Sequence, residues 1–144
     1  MRIGDGRMLL RDTNDGEFGL ILLDAFHSDA VPVHLMTREA VALYLQKLAP
    51  GGVLAFHVSS QYLELAPVLG DLAADLGLVA RLRRESGLSA EDHAAMKEAS
   101  TWVVLGRAAD DVAALGWDDL PARAERCVWT DSYASLWREM KLFR

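Results

Sequence analysis

The 144-residue chain has one cysteine, Cys127, which excludes an internal disulfide and fits a reducing compartment. Positive charge is also scarce, because 15 Lys and Arg stand against 21 Asp and Glu, giving a net charge of −6. A protein that binds a phosphate backbone needs a basic surface, so we expect no nucleic-acid partner. No apolar run approaches the roughly 18 residues of a membrane helix, and we expect a soluble, cytoplasmic chain.

Familiar catalytic motifs are missing as well. The sequence contains no Gly-x-Gly-x-x-Gly fingerprint, no P-loop and no Gly-x-Ser-x-Gly setting, so Ser59 and Ser60 are interpreted as helix-capping residues. The spacing of the histidines matches no zinc motif, and no second cysteine helps them. We therefore expect no metal. The four histidines are His27, His34, His57 and His93.

What the sequence does contain is an alternation of strand and helix patterns. A hydrophobic share of 51% is ample for one packed core. The pattern indicates an α/β fold with a mostly parallel sheet, in a single domain over residues 1–144. We expect Trp117, Trp129 and Trp137 to anchor the tail, which comprises residues 108–144. The predicted elements are a short helix over 7–11, strands over 18–23, 53–58, 78–82 and 101–105, and helices from Thr37 to about Leu48 and over 65–76.

Asp24 is the sharpest candidate for chemistry. It follows the apolar run Phe18–Leu23, which reads as a strand buried on both faces, and open α/β sheets bind ligands at the carboxyl ends of their strands. A carboxylate there can act as a general base or bind a cation. The alternative is a structural role, in which Asp24 accepts backbone N–H bonds in the loop that follows.

Four further candidates surround this one. Asp29, in the same loop, is a second acid for an ammonium group, although a solvated loop acid is the favoured interpretation. His27 lies between the two acids and is the histidine expected to meet a substrate. The pair Asp5-Gly6 can place a carboxylate and a close backbone against a nucleoside, or can simply form a turn. For His57, a hydrogen-bonded structural role is favoured over ligand contact.

An ordered set of segments resembles the spermidine synthases and their spermidine-synthase-like relatives. The match runs from about Ile3 to Leu78, and Trp129-Thr130-Asp131 is similar to the family too. Among these relatives, the chain resembles a bacterial spermidine-synthase-like branch, some members of which are fused behind membrane-spanning segments. The segments are Ile3-Gly4-Asp5-Gly6-Arg7, Leu20-Ile21-Leu22-Leu23-Asp24-Ala25-Phe26, Ser28 to Leu35, Thr37-Arg38-Glu39 and Leu48-Ala49-Pro50-Gly51-Gly52-Val53-Leu54.

This resemblance implies a partial class I methyltransferase-type Rossmann fold that binds decarboxylated S-adenosylmethionine, or S-adenosylmethionine, and transfers an aminopropyl group to an amine in polyamine biosynthesis. It implies that Asp5 and Gly6 contact the adenine side of the nucleoside, that Asp24 deprotonates the amine, and that His27 and Asp29 belong to the substrate loop. The family's glycine-rich turn and ribose-binding acid would precede Met1. We therefore expect only the C-terminal part of the fold, lacking the first strands.

Two alternatives stay open at this point. One is a non-catalytic Rossmann-like interaction module, and the other is a fragment of an S-adenosylmethionine-dependent methyltransferase. Absence of the first strands would uncover the edge of the Leu20–Leu23 strand, and an uncovered apolar edge invites pairing with another chain. We therefore expect a homo-oligomer or a partner chain at that edge. The resemblance also allows that the chain is the soluble part of a membrane-fused parent.

Overall fold

The structure, a computed structural model, describes residues 4–25, 32–87, 89, 91–92, 96 and 98–141. The described residues form both helices and a five-stranded sheet, which confirms the α/β prediction. That residues 1–144 form a single domain stays a prediction. The helices are α1 (Gly6–Arg11), α2 (Arg38–Lys47), α3 (Ala66–Leu76) and α4 (Ala109–Ala113), with 3-10 turns at Val33–Leu35 and Trp137–Glu139. The strands are β1 (Phe18–Leu23), β2 (Leu48–His57), β3 (Val79–Glu85), β4 (Ser100–Gly106) and β5 (Asp118–Asp119).

The strand order is β1-β2-β4-β3-β5, and it corrects the expectation of a mostly parallel sheet. Among the described strands, only β1 and β2 pair in parallel; β4 pairs antiparallel with both β2 and β3, and β5 pairs antiparallel with β3. Because the reversed strand β4 lies between β2 and β3, the strands β1, β2 and β3 still run in one direction. An apolar pattern predicts a strand but carries no information on its direction.

The helix boundaries agree with the capping signals in the sequence. Thr37 Oγ1 accepts a hydrogen bond from the Ala40 N–H at 3.2 Å and starts α2. Gly77, with φ +68°, ends α3 in the left-handed conformation that glycine adopts without strain. None of the helices in the described ranges is long and apolar enough to cross a membrane.

Strand β2 begins earlier than predicted. It starts at Leu48 and contains the Pro50-Gly51-Gly52 segment that was expected to lie before the strand. A shift in the register with β1 accommodates this segment. At Gly52 a Cβ would lie 2.9 Å from the Ala49 carbonyl oxygen and 3.0 Å from that of Phe18, so the close pairing requires glycine.

The main core lies where α2 and α3 pack on the sheet. Its largest fully buried side chains include Tyr44, Phe56 and Trp129. Trp129 is thus a packing anchor as predicted, whereas Trp137 is 76% exposed and is not. Cys127 is a free cysteine and is buried as well.

One face of β1 is uncovered, against the expectation of a strand buried on both sides. Ile21 and Leu23 enter the core, but Leu20 and Leu22 are each 54% exposed. Because β1 also forms one end of the strand order, both its edge and its outer face are open within the described part of the chain. Apolar side chains in such a position mark a surface that another polypeptide can cover.

Candidate functional site

Asp24 lies directly after β1, and His57 is the last residue of β2. Because these two strands pair in parallel, their carboxyl ends meet at the same edge of the sheet. The Asp24 side chain is 58% exposed, while that of His57 is 25% exposed. The predicted position of Asp24 beyond a strand end is therefore confirmed, and its carboxylate is open to solvent.

A chain of hydrogen bonds runs from this carboxylate into the protein. Asp24 Oδ1 lies 2.7 Å from Nδ1 of His57, and Nε2 of His57 lies 2.7 Å from Oγ of Ser59. The Thr101 N–H donates to the same Oγ at 2.8 Å. His57 is therefore hydrogen-bonded through both ring nitrogens, as the structural interpretation required. One of its two partners is the candidate acid Asp24 itself.

The ring of His57 is also held by stacking. His57 on β2 pairs in register with Trp102 on β4, and the two rings stack with centroids 4.6 Å apart at 18°. A cavity of about 510 Å³ lies beside His57 and Ser59. This volume is within the range of small-molecule sites, and the cavity wall also contains the charged residues Arg84, Glu85, Glu98 and Lys141.

Asp5 and Gly6 lie apart from this chain, at the start of α1. The Asp5 carboxylate caps that helix by accepting the Met8 N–H at 3.0 Å, so the Asp-Gly pair begins a helix rather than a turn. Its Oδ2 lies 3.5 Å from Nε2 of His34, in the connection that follows β1. No hydrogen bond among the described residues joins Asp5 to Asp24. A cavity of about 370 Å³ lies beside Asp5.

Arg7, two residues after Asp5, makes a bidentate ion pair with Asp131. Its guanidinium donates to both carboxylate oxygens of Asp131 at 2.8 and 2.7 Å, and Thr37 Oγ1 donates to Asp131 at 2.6 Å. The bonds from Arg7 and Thr37 lower the pKa of Asp131 to about 2, and the bond to Asp131 raises the pKa of Arg7. This pair ties the tail to the starts of α1 and α2.

A second cluster of charged side chains contains two fully buried acids, Asp71 and Glu139. Arg123 donates from Nε to Asp71 at 2.8 Å and from NH1 to both oxygens of Glu139 at 2.8 and 3.0 Å, and both acids are inaccessible to solvent. Burial acts to raise the pKa of Asp71, but the bonds from Arg123 and from the Cys127 N–H outweigh it and lower that pKa. The cluster connects α3 to the tail.

Two predicted site residues, His27 and Asp29, lie outside the described residues, so their roles stay predictions. Within the ranges that the structure describes, no group of three or more His, Cys, Asp or Glu side chains is placed to hold a metal ion. The structure thus brings Asp24 together with His57, and places Asp5 and Gly6 apart from them at the start of α1, where Asp5 lines the 370 Å³ cavity.

Sequence reasoning missed the partners of Asp24. Ser59 was interpreted as a helix cap, yet α3 begins seven residues later and Ser59 bonds to His57 and Thr101 instead. One signal was available: Ser59 follows His57 by two residues at the end of a predicted strand, and alternate residues of an extended chain lie on the same side. The Thr101 contact depends on the reversed strand β4 and had no sequence signal.

Comparison with known proteins gives the class of fold. Neither a family model nor a curated protein matches the sequence. The structure is similar to a crystal structure of a probable spermidine synthase from Corynebacterium glutamicum ATCC 13032, at 15% identity with a TM-score of 0.59, over 94% of this chain and 55% of that one. It is also similar to MnmC2 from Aquifex aeolicus, at 15% identity with a TM-score of 0.49, over 85% of this chain and 37% of that one.

The chain therefore has a partial class I S-adenosylmethionine methyltransferase-type fold, as the resemblance implied. It spans about half the length of the probable spermidine synthase. At 15% identity the likeness shows the fold and no activity.

Proposed function

We propose that this chain takes part in aminopropyl transfer from decarboxylated S-adenosylmethionine to an amine. One observation carries the proposal: an exposed carboxylate, Asp24, stands at the carboxyl end of β1 with one oxygen held by His57. The methyltransferase-type fold supports a nucleoside ligand of the S-adenosyl class, because ligands of open α/β sheets bind at this edge.

Aminopropyl transfer to an amine requires a group that takes a proton from the amine, and a carboxylate can do this. An amine acceptor is an ammonium ion at neutral pH and has no free electron pair with which to attack. Asp24 would attract the cation and then accept its proton, as a general base does. Decarboxylated S-adenosylmethionine, when bound, would supply a carbon that its sulfonium group makes electrophilic. We further propose that His27 and Asp29, which follow Asp24 in the sequence, line the approach of the amine.

The nucleoside would lie near Asp5 and Gly6. The Asp5 carboxylate is half-exposed beside the 370 Å³ cavity and can accept a hydrogen bond from an adenine amino group. We propose that this carboxylate meets the adenine side of the nucleoside.

A second candidate function is a non-catalytic interaction module, and the open face of β1 favours it. Leu20 and Leu22 are half-exposed apolar side chains on an edge strand. In either function we propose that a second copy or a partner chain covers this edge. A cytoplasmic location, in free form or as part of a membrane-fused parent, stays a prediction.

Titration calorimetry with decarboxylated S-adenosylmethionine, and with S-adenosylmethionine as the methyltransferase alternative, tests the nucleoside part of the proposal. We expect binding of the decarboxylated nucleoside that Asp5→Ala weakens at least 10-fold. Asp12→Ala removes a carboxylate from the other end of α1 and should leave binding unchanged. Absence of binding at millimolar concentration would reject the enzyme in favour of the interaction module.

A further inference from the structure

The hydrogen bonds around His57 have a fixed direction. The Thr101 N–H can only donate, so Ser59 Oγ accepts that bond. At the other end an ionised Asp24 can only accept, so the proton between them belongs to Nδ1 of His57. The Ser59 hydroxyl then donates its own hydrogen to Nε2. The neutral imidazole is therefore held as the Nδ1-protonated tautomer by partners at both ends.

The same contacts fix where the Asp24 carboxylate points. Oδ1 is held at 2.7 Å by His57, and no other hydrogen bond reaches Asp24 from the part of the chain that the structure describes. The second oxygen, Oδ2, is therefore the one available to an incoming cation on this exposed side chain. Stacking on Trp102 keeps the imidazole from rotating away.

We propose that His57 is the positioning residue of this site: its Nδ1–H holds one oxygen of Asp24, in a tautomer set by Ser59 and Thr101, so that Oδ2 faces the amine. The inference rests on the proposed function of Asp24 as the base. In this arrangement the proton of the ammonium moves to Oδ2, while the hydrogen on Nδ1 stays in place. His57 touches neither the amine nor the reacting atoms.

The order Asp24, His57, Ser59 is also that of a nucleophilic serine with its base and orienting acid. The exposed fractions of the side chains favour Asp24, and not Ser59, as the residue that meets the substrate. In a serine hydrolase the acid is buried, whereas here the Asp24 side chain is 58% exposed and Ser59 is half-buried. The oxygen of Ser59 is further engaged by Thr101.

Two matched variants separate positioning from a merely structural role. In His57→Asn the side-chain amide nitrogen takes the place of Nδ1 and can still donate to Asp24. In His57→Gln the amide reaches instead toward the place of Nε2 and Ser59. We expect His57→Asn to retain aminopropyl transfer to putrescine within about 10-fold of the unsubstituted chain, and His57→Gln to lose about 100-fold, as a misplaced catalytic group does.

Nuclear magnetic resonance of the imidazole nitrogens tests the proposal without any activity. At pH 8 we expect Nδ1 of His57 to carry the hydrogen and Nε2 to be unprotonated, and Asp24→Asn to change this signal. An Nε2-protonated ring, or equal transfer by His57→Gln and His57→Asn, would overturn the proposal. Labelling of Ser59 by a fluorophosphonate would also overturn it, since Ser59 would then be a nucleophile. A correct tautomer in a chain with no transfer would reject the proposed function and retain the Asp24–His57 pairing.

Discussion

A pair of acidic side chains, Asp71 and Glu139, and a single one, Asp24, have opposite surroundings in this protein. Asp71 and Glu139 are fully buried on either side of Arg123, and the Asp71 carboxylate also accepts backbone N–H bonds from Arg123 and Cys127. Asp24 has one hydrogen bond from His57 within the described residues and is 58% exposed. A buried and fully bonded acid stabilises the fold, whereas an exposed acid with a free oxygen is available for binding and proton transfer.

The largest effect is expected at the buried group. Arg123→Ala leaves two inaccessible carboxylates without their cation, and breaking a buried ion pair in this way costs about 3–5 kcal/mol. Urea unfolding measures the change. The control Arg126→Ala removes an exposed arginine nearby and should stay within about 0.5 kcal/mol. Equal effects of the two variants would break the contrast between buried and exposed charge.

A smaller loss is expected where the Arg7 pair meets α2. Thr37→Ala removes the N-cap of this helix together with the bond from its hydroxyl to Asp131, at a cost of about 1–2 kcal/mol. Thr37→Ser keeps the hydroxyl and should recover most of that loss in the same urea titration. If serine is as destabilising as alanine, the methyl group of Thr37 and not its hydroxyl stabilises this contact.

Asp131 should make a pH-dependent contribution to the free energy of unfolding of under about 1 kcal/mol, since its side chain is 46% exposed. Its folded pKa of about 2 is below the unfolded value of about 3.9, so its ionised form stabilises the fold above pH 4 and this stabilisation is lost as the pH falls through 2. The stability difference from Asp131→Asn should thus be largest near pH 6 and shrink below pH 4. Repeating the comparison in Arg7→Met should abolish most of it.

The smallest change in stability is expected at Asp24. Asp24→Asn alters an exposed side chain at the end of β1, so the free energy of unfolding should change by no more than about 0.5 kcal/mol. A loss as large as that of Arg123→Ala would make Asp24 a structural acid. The same urea titration decides between the two, with Arg123→Ala as the reference.

The sequence was informative about local structure and about single positions. Thr37 and Gly77 marked the ends of helices, and Asp24 followed a strand as the apolar run before it predicted. These features depend on a few neighbouring residues, so a single chain reveals them.

Features that depend on long-range pairing could not be predicted. The reversed strand β4 changed the sheet from mostly parallel to mostly antiparallel pairing, and it is also what places Thr101 and Trp102 against Ser59 and His57. Likewise, Arg7 and Asp131 are 124 residues apart in the chain and meet only in the folded state. No periodicity or motif records such contacts.

The contrast between the exposed acid Asp24 and the buried acids Asp71 and Glu139 is tested most directly by aminopropyl transfer itself, measured with decarboxylated S-adenosylmethionine and putrescine. We expect transfer by the unsubstituted chain, and a loss of about 10²–10⁴-fold in folded Asp24→Asn, the usual contribution of a general base. Transfer by Asp24→Asn at the unsubstituted rate, or no transfer by the unsubstituted chain, would contradict the role of the exposed carboxylate.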